Sequence, residues 1–122
     1  MDIRALWTAV LAQDEEAIRP FFHPDARVDW VCTNERFTLD EYITANCRYP
    51  GSWEGEVERV EEQGEQLVTV TRVWPRDRSF SVHAVSFFRL RGDKVARLEE
   101  YWADDGPPPQ WRQEMKLGQP LK

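Results

Sequence analysis

The stretch FSVHAVSFFRLRGDKVARLEEYWADD, from Phe80 to Asp105, decides the fold. A run rich in Val, Phe, Ser and His leads into a turn signal at Gly92-Asp93, and a second extended run ends in Tyr101-Trp102. Two such runs around a Gly-Asp turn predict a β-hairpin. Both faces of the first arm are largely apolar, so both faces of the hairpin need a cover.

The second arm places a carboxylate where strand alternation calls for an apolar side chain. Glu100 lies between Leu98 and Trp102 on one face. An apolar surrounding raises the pKa of a carboxyl group, and a pKa near neutrality suits a general base. The competing interpretation is an ion pair with an arginine such as Arg72 or Arg97, or a face that water covers.

The register of the hairpin decides whether a histidine joins this carboxylate. With a tight two-residue loop, Val85 pairs with Glu100, and His83 lies on the face of Glu100 as a potential partner. With a one-residue bulge, Ser86 lies opposite Glu100 and His83 points to the other side. His23, the second histidine, is expected to bond to the backbone at a turn.

Composition and charge exclude several classes of protein. The chain has 122 residues, 41% of them hydrophobic, which fits one domain with a core. A formal charge of -6 and a pI near 4.9 argue against nucleic acid or an anionic membrane as a partner. Cys32 and Cys47 lack metal-ligand spacing, and no leader or membrane-spanning run is visible. We expect a cytoplasmic protein with no metal and no cofactor.

The rest of the chain supplies helices first and strands later. Apolar residues at helical spacing after Asp2 predict a first helix, a shorter one follows over 14–22, and Thr38 and Glu41 form a capping box for a third that ends near Arg48. His23-Pro24-Asp25 is expected to be a turn. The predicted strands span 27–32, with Val28, Trp30 and Cys32 on one face, an acidic edge strand over 54–62, then 67–74 and the hairpin.

This order predicts an α+β fold in which three N-terminal helices cover one face of an antiparallel sheet. The other face, with Val85, Phe87 and Tyr101, is expected to meet a second copy in a homodimer. Residues 1–106 form the predicted domain. Residues 107–122 form a proline-rich tail that includes Trp111.

Three stretches resemble the nuclear transport factor 2-like superfamily, and especially its SnoaL-like, polyketide cyclase-like branch. They are 21–28 (FFHPDARV), 85–90 (VSFFRL), and 92–95 (GDKV) with 99–102 (EEYW). The resemblance implies a cone-shaped, strongly curved sheet wrapped on helices, a pocket at the open end, and a dimer through the sheet. It also favours the bulged hairpin register.

The resemblance implies more about architecture than about activity, because the superfamily includes isomerases, cyclases, hydrolases and non-catalytic binders. The carboxylate base of steroid-isomerase-type members matches Trp30 here, and Asp29 stands one position too early. The neutral acid of those members matches Ser86. SnoaL-like cyclases resemble this chain in having an acidic residue near the end of the last strand, in the stretch that contains Glu100.

We therefore expect a small-molecule-binding protein, in which Glu100 performs acid/base chemistry of a cyclase, isomerase or hydratase type on an apolar, ring-containing substrate. The alternative is a non-catalytic ligand-binding or dimerisation module. The candidate ligand-binding residues are Trp30, Cys32, Tyr42, Asn46, Ser86 and Trp102. Core packing is the alternative explanation for the aromatic residues among them.

Overall fold

The computed structural model describes all 122 residues and contains one six-stranded sheet with four α-helices. The helices are α1 (Ile3–Leu11), α2 (Glu15–Ile18), α3 (Leu39–Cys47) and α4 (Gln110–Glu114). The strands are β1 (Phe22–Trp30), β2 (Glu35–Thr38), β3 (Trp53–Gln63), β4 (Gln66–Pro75), β5 (Val82–Arg91) and β6 (Lys94–Asp104). The α+β class expected from the sequence is confirmed.

The strands lie in the order β2-β1-β6-β5-β4-β3. The run from β3 to β6 is antiparallel, as predicted, and β3 is an edge strand. The N-terminal β1 then pairs parallel with the C-terminal β6. This pairing places the first and the last strand of the domain side by side within the sheet.

The region around β1 differs from prediction in three ways. His23, Pro24 and Asp25 lie in β1 and not in a turn. The pairing of β1 with β6 is irregular there, so the missing N–H of Pro24 removes no hydrogen bond between the strands. The strand ends at Trp30, because Val31–Thr33 form a 3-10 turn closed by Asn34 in the left-handed region. The short strand β2, which follows this turn, was not predicted.

Helices α1, α2 and α3 pack on the inner face of the sheet, whereas every residue of α4 is exposed. Asp2 and Asp14 cap α1 and α2 through their side chains, and the capping box of Thr38 and Glu41 begins α3 as predicted. The predicted second helix is shorter than expected, because Pro20 lies in a 3-10 turn over Arg19–Phe21. No helix reaches the length and apolarity that crossing a bilayer requires.

The hairpin of β5 and β6 has the bulged register. The pairing shifts by one residue after Arg89, so that Ser86 lies opposite Glu100 and His83 lies opposite Ala103. One face of the hairpin therefore buries Ala84, Ser86 and Glu100. On the outer face Phe87 and Tyr101 remain 37% and 41% exposed.

The helical layer approaches the sheet closely at Gly55 of β3. A Cβ atom at this position would lie 2.8 Å from the backbone oxygen of Arg72 on β4 and 3.0 Å from Leu11 of α1. The first contact is with backbone that the sheet holds in place. Only glycine therefore lets α1 and the two paired strands meet at this distance.

We predict that Gly55→Ala lowers the free energy of unfolding by about 1–3 kcal/mol, because the added methyl group has to push the paired strands apart. Urea unfolding measured by circular dichroism checks this. Gly106→Ala is the matched control, since nothing lies within 4 Å of its Cβ position and it should unfold like the wild type. Equal midpoints for the two variants would contradict the packing argument.

Candidate functional site

Glu100 is the one acidic side chain buried in the core of the protein. It lies on the inner face of β6 and is 3% exposed. Its strand neighbours are Ser86 on β5 and Trp30 on β1. The hairpin of β5 and β6 and the distant strand β1 thus bring three of the predicted site residues together.

Both carboxylate oxygens of Glu100 accept a hydrogen bond. The indole Nε1 of Trp30 donates to Oε1 at 3.2 Å, and the hydroxyl of Ser86 donates to Oε2 at 2.6 Å. Hydrogen bonds from two fixed neighbours hold the carboxyl plane in one orientation. The carboxyl group is therefore fixed in position, and no cationic side chain pairs with it.

Burial raises the pKa of Glu100 to about 7, because the interior cannot solvate a carboxylate as water does. The hydrogen bonds from Ser86 and Trp30 favour the ionised form and oppose this shift, but they are the smaller effects. The arginines considered as partners lie elsewhere: Arg72 is 3.9 Å from Asp105, and Arg97 contacts Asp29 and Glu99. The ion-pair interpretation of Glu100 is therefore wrong.

An aromatic cluster covers this part of the inner face. Tyr42 is buried, with its ring centroid 5.6 Å from that of Phe22 and 6.4 Å from that of Trp30, and Phe37 packs edge-on against Trp30 at 4.8 Å. Burial, and secondly the charge of Glu100, raise the pKa of Tyr42 well above its ordinary value. Its hydroxyl therefore stays protonated at neutral pH and is able to donate a hydrogen bond.

Two further polar side chains on the inner face, those of Thr69 and Thr71, were not identified from the sequence. Thr69 is fully buried and accepts a hydrogen bond from the indole of Trp7 at 3.1 Å. The hydroxyl of Thr71, also fully buried, and the indole Nε1 of Trp53 have no hydrogen-bond partner. Threonine is common in strands, so no pattern in the sequence distinguishes these two from ordinary strand residues.

The other predicted ligand-binding residues have different surroundings. Trp102 is half-buried and pairs with Ala84 on the inner face. The side-chain amide of Asn46 donates to the backbone oxygen of Val10 and joins α3 to α1. Cys32 is exposed in the turn after β1, so the prediction that it shares the face of Trp30 is wrong.

His83 lies on the outer face, away from Glu100. Its ring nitrogens contact Asp105 at 2.5 Å and Glu58 at 2.8 Å. The hydrogen bond with Asp105 is the main cause that raises the pKa of His83 above its ordinary value. His23 contacts the backbone oxygen of Arg91 at 2.6 Å, as expected for a structural histidine.

Glu100 is only 3% exposed, so its carboxyl group is closed off from solvent in this structure. Two surface depressions lie elsewhere, one beside Met1 and Phe21 and the other beside Phe87 and Arg97. No group of three His, Cys, Asp or Glu side chains is placed to hold a metal ion. What the arrangement offers chemically is one buried carboxyl group that can exist in either protonation state near neutral pH.

We predict that Glu100→Gln removes a pH dependence from the stability of the protein. Between about pH 4.5 and pH 7 the unfolded chain ionises this group while the folded protein keeps it protonated, so wild-type stability falls by roughly 3 kcal/mol as the pH rises. The variant lacks this decline and should be the more stable of the two at neutral pH. Urea unfolding at pH 5 and pH 8 measures the difference.

Glu99→Gln is the control for this prediction, because it alters the neighbouring side chain on the opposite face and keeps Glu100. It should retain the wild-type decline. A Glu100→Gln protein that is less stable than the wild type only at the higher pH would show that the buried carboxylate is stabilised in its charged form.

Comparisons with known proteins place this geometry in a family. The model of the SnoaL-like domain matches residues 3–98. A search of curated proteins returns no significant match. Among solved structures, a candidate ketosteroid isomerase from Kribbella flavida superposes with a TM-score of 0.82 at 21% identity, over 98% of this chain and 88% of that one.

Two further solved structures show the same fold. A nuclear transport factor 2-like protein of unknown function from Burkholderia xenovorans has a TM-score of 0.79 at 24% identity, over 96% of this chain and 91% of that one. A candidate SnoaL-like polyketide cyclase from Jannaschia has a TM-score of 0.69 at 20% identity, over 82% and 81%. The bent arrangement of helices on a sheet and the matched domain model agree: the chain belongs to the SnoaL-like domain family.

Proposed function

We propose that this protein binds a small, apolar, ring-containing molecule and that Glu100 transfers a proton to or from it. The observation that carries the proposal is a fully buried carboxyl group with no cation beside it and with a pKa raised to about 7. Groups with strongly shifted pKa values inside a core are frequent at functional sites. Burying such a group weakens the fold, so a structural role alone does not account for it.

The proposed chemistry needs both forms of the carboxyl group. The carboxylate takes a proton from a carbon next to a ring carbonyl; the electron pair of the broken C–H bond forms a C=C bond, and the π pair of the carbonyl moves onto its oxygen to give an enolate. In an isomerisation the protonated carboxyl returns the proton to a different carbon of the conjugated enolate. In a ring closure the enolate carbon bonds to a second carbonyl carbon of the substrate, and the resulting alkoxide takes the proton. A pKa near the working pH makes both steps accessible. The proposal requires neither a metal nor a cofactor.

Aromatic side chains would contribute the binding surface. Trp30 and Trp102 are half-buried, whereas Tyr42 and Ser86 lie deeper. Since Glu100 is closed off, a planar ligand has to enter by displacing the half-buried rings and then stack between aromatic faces. The protonated hydroxyl of Tyr42 is a suitable donor to a ligand oxygen.

The second candidate function is ligand binding without catalysis. The burial of Glu100 favours it, because a carboxyl group that is 3% exposed offers a substrate no open path from solvent. In that case the buried carboxyl would serve only as a hydrogen-bonding group. Both candidates share a small-molecule ligand and differ in whether Glu100 moves a proton.

The two cysteines are free, which fits the reducing conditions of the cytoplasm, where we propose that the protein acts.

We predict that the wild-type protein catalyses exchange of acidic C–H hydrogens for deuterium in cyclic ketones dissolved in D2O, and that Glu100→Gln does not. A panel of cyclohexenones and fused-ring ketones followed by proton NMR is the probe. The loss should be about a hundredfold or more, the usual contribution of a positioned general base. Glu99→Gln should exchange at the wild-type rate.

Binding is measured separately on the same panel through the indole N–H resonance of Trp30. Binding to both the wild type and Glu100→Gln, with no exchange by either, would support the non-catalytic candidate. An absence of binding to any member would count against both candidates for this class of ligand.

We also propose that the protein is a homodimer formed through the outer face of the sheet. Phe87 and Tyr101 pack edge-on with centroids 6.0 Å apart and stay partly exposed, with Val70 and Val85 beside them. A contiguous apolar surface of this kind is typical of an interaction site. In a two-fold dimer the patch of one copy would pack against the same patch of the other.

We predict that Phe87→Glu converts the protein to a monomer, because a carboxylate buried without a partner costs several kcal/mol. Sedimentation velocity at micromolar concentration measures the change. Phe87→Leu keeps an apolar side chain at this position and should leave the dimer intact. A wild-type protein that already sediments as a monomer would refute the proposed dimer.

A further inference from the structure

Two threonines on the inner face of β4 differ in one respect. Thr69 and Thr71 are both fully buried and stand two residues apart on the strand, so both side chains point to the helical layer. The hydroxyl of Thr69 accepts a hydrogen bond from the indole of Trp7 at 3.1 Å. The hydroxyl of Thr71 has no hydrogen-bond partner in the protein. The first hydroxyl therefore completes the fold, whereas the second keeps an unused donor and an unused acceptor.

A structural role does not account for the hydroxyl of Thr71. A buried hydroxyl without a partner lowers stability, because it gives up hydrogen bonds to water and gains none. Valine has nearly the same shape, is equally suited to strands and carries no such cost. The outer two of the four inward positions of this strand, Leu67 and Val73, are indeed apolar. The threonine is thus a polar group kept at a cost, and it calls for a role beyond the fold.

The register of the sheet places Thr71 beside the residues assigned to ligand binding. Thr71 pairs with Ala84 on β5, and Ala84 pairs with Trp102 on β6. Directly opposite residues share a face, so only the methyl group of Ala84 separates Thr71 from Trp102 in this row. The adjacent row of the same face holds Ser86 and Glu100. Thr71 therefore belongs to the inner surface that carries the proposed proton-transfer group.

The separation of Thr71 from Glu100 indicates the size of a molecule that contacts both. The two residues lie two strand spacings apart across the sheet and two residues apart along it. With about 4.8 Å per spacing and about 3.4 Å per residue, their Cα atoms are roughly 12 Å apart. The two side chains and their contacts with the ligand take up part of this distance. A fused two-ring skeleton with an oxygen on each ring fits the remainder, whereas a single ring with one oxygen contacts only one of the two groups.

We propose that Thr71 determines the specificity of the site, because its hydroxyl forms a hydrogen bond with a second oxygen of the ligand, on the ring remote from the carbon that Glu100 deprotonates. The preferred substrates are then fused two-ring ketones that carry a further carbonyl or hydroxyl group. A threonine hydroxyl donates to a carbonyl oxygen and accepts from a hydroxyl group, so it binds either substituent. This inference rests on the proposed function of the same site and adds one contact to its ligand.

The test uses two probes that differ in one oxygen. One is a fused two-ring enone with a methyl group at the ring junction, and the other is its diketone analogue with a second carbonyl on the other ring. Proton NMR titration of the full chain measures both dissociation constants. The wild type should bind the diketone about fivefold more tightly, as expected for one additional neutral hydrogen bond. Thr71→Val should lose this preference, and Thr71→Ser, which keeps the hydroxyl, should retain it.

Thr69→Val is the matched control, because it removes the hydroxyl that already has a partner. It should keep the preference for the diketone and lower the melting temperature by about 4 °C or more, since the indole of Trp7 loses its acceptor. Thr71→Val should melt at or above the wild-type temperature, because no group in the protein pairs with the hydroxyl that it removes. This contrast in stability needs no ligand and does not depend on the chemistry of Glu100.

The outcomes distinguish this inference from the proposed function. Equal affinity of the wild type for the two probes, or a preference that survives in Thr71→Val, would overturn the role of Thr71 and leave the assignment of Glu100 intact. A melting temperature of Thr71→Val as low as that of Thr69→Val would show that the hydroxyl is already paired, and would also overturn it. A wild type that binds neither probe would refute the proposed class of ligand, and this inference would fail with it.

Discussion

A one-residue irregularity in the pairing of β5 with β6 decides which side chains enter the core. It lies between Arg89 and Leu90, and every residue of β6 beyond it depends on that shift. Without the shift, Val85 would lie opposite Glu100, and His83 would point inward. With it, Ser86 is the residue that reaches the carboxyl group. The chemistry of the interior therefore depends on a local feature of the backbone more than on the choice of any single side chain.

Glu100 illustrates how a fold can hold the pKa of a carboxyl group near neutral pH. Two opposing effects act on it: loss of hydration, which favours the neutral group, and hydrogen bonds from Trp30 and Ser86, which favour the charged one. A third donor or a nearby guanidinium would tip the balance to a permanent carboxylate, and an apolar neighbour in place of Ser86 would tip it the other way. Loss of hydration is the larger effect, and the resulting pKa near 7 is a property of the whole surrounding and not of the glutamate itself.

The sequence predicts the parts of this structure that follow from repeating patterns. The amphipathic α1, the capping box of α3 and the antiparallel β3–β6 all have local signals, and the carboxylate of Glu100 stood out because it broke an alternation. The path between Trp30 and Thr38 has no local signal in the sequence, because Asn34, in the left-handed region, turns the chain without a glycine or proline. Cys32 was misplaced for that reason. The unpartnered hydroxyl of Thr71 depends on three-dimensional packing and has no sequence signal.

The parallel pairing of β1 with β6 has a consequence for how the chain reaches this state. The hydrogen bond between Trp30 and Glu100 joins residues 70 positions apart, and such contacts form slowly because a long loop must close first. During synthesis the chain emerges from its N-terminal end, so β1 has to wait for nearly the whole domain before its central partner exists. Until then its apolar side faces water or the helices alone. The order of the strands along the chain thus makes completion of the sheet, and with it the burial of Glu100, a late event in folding.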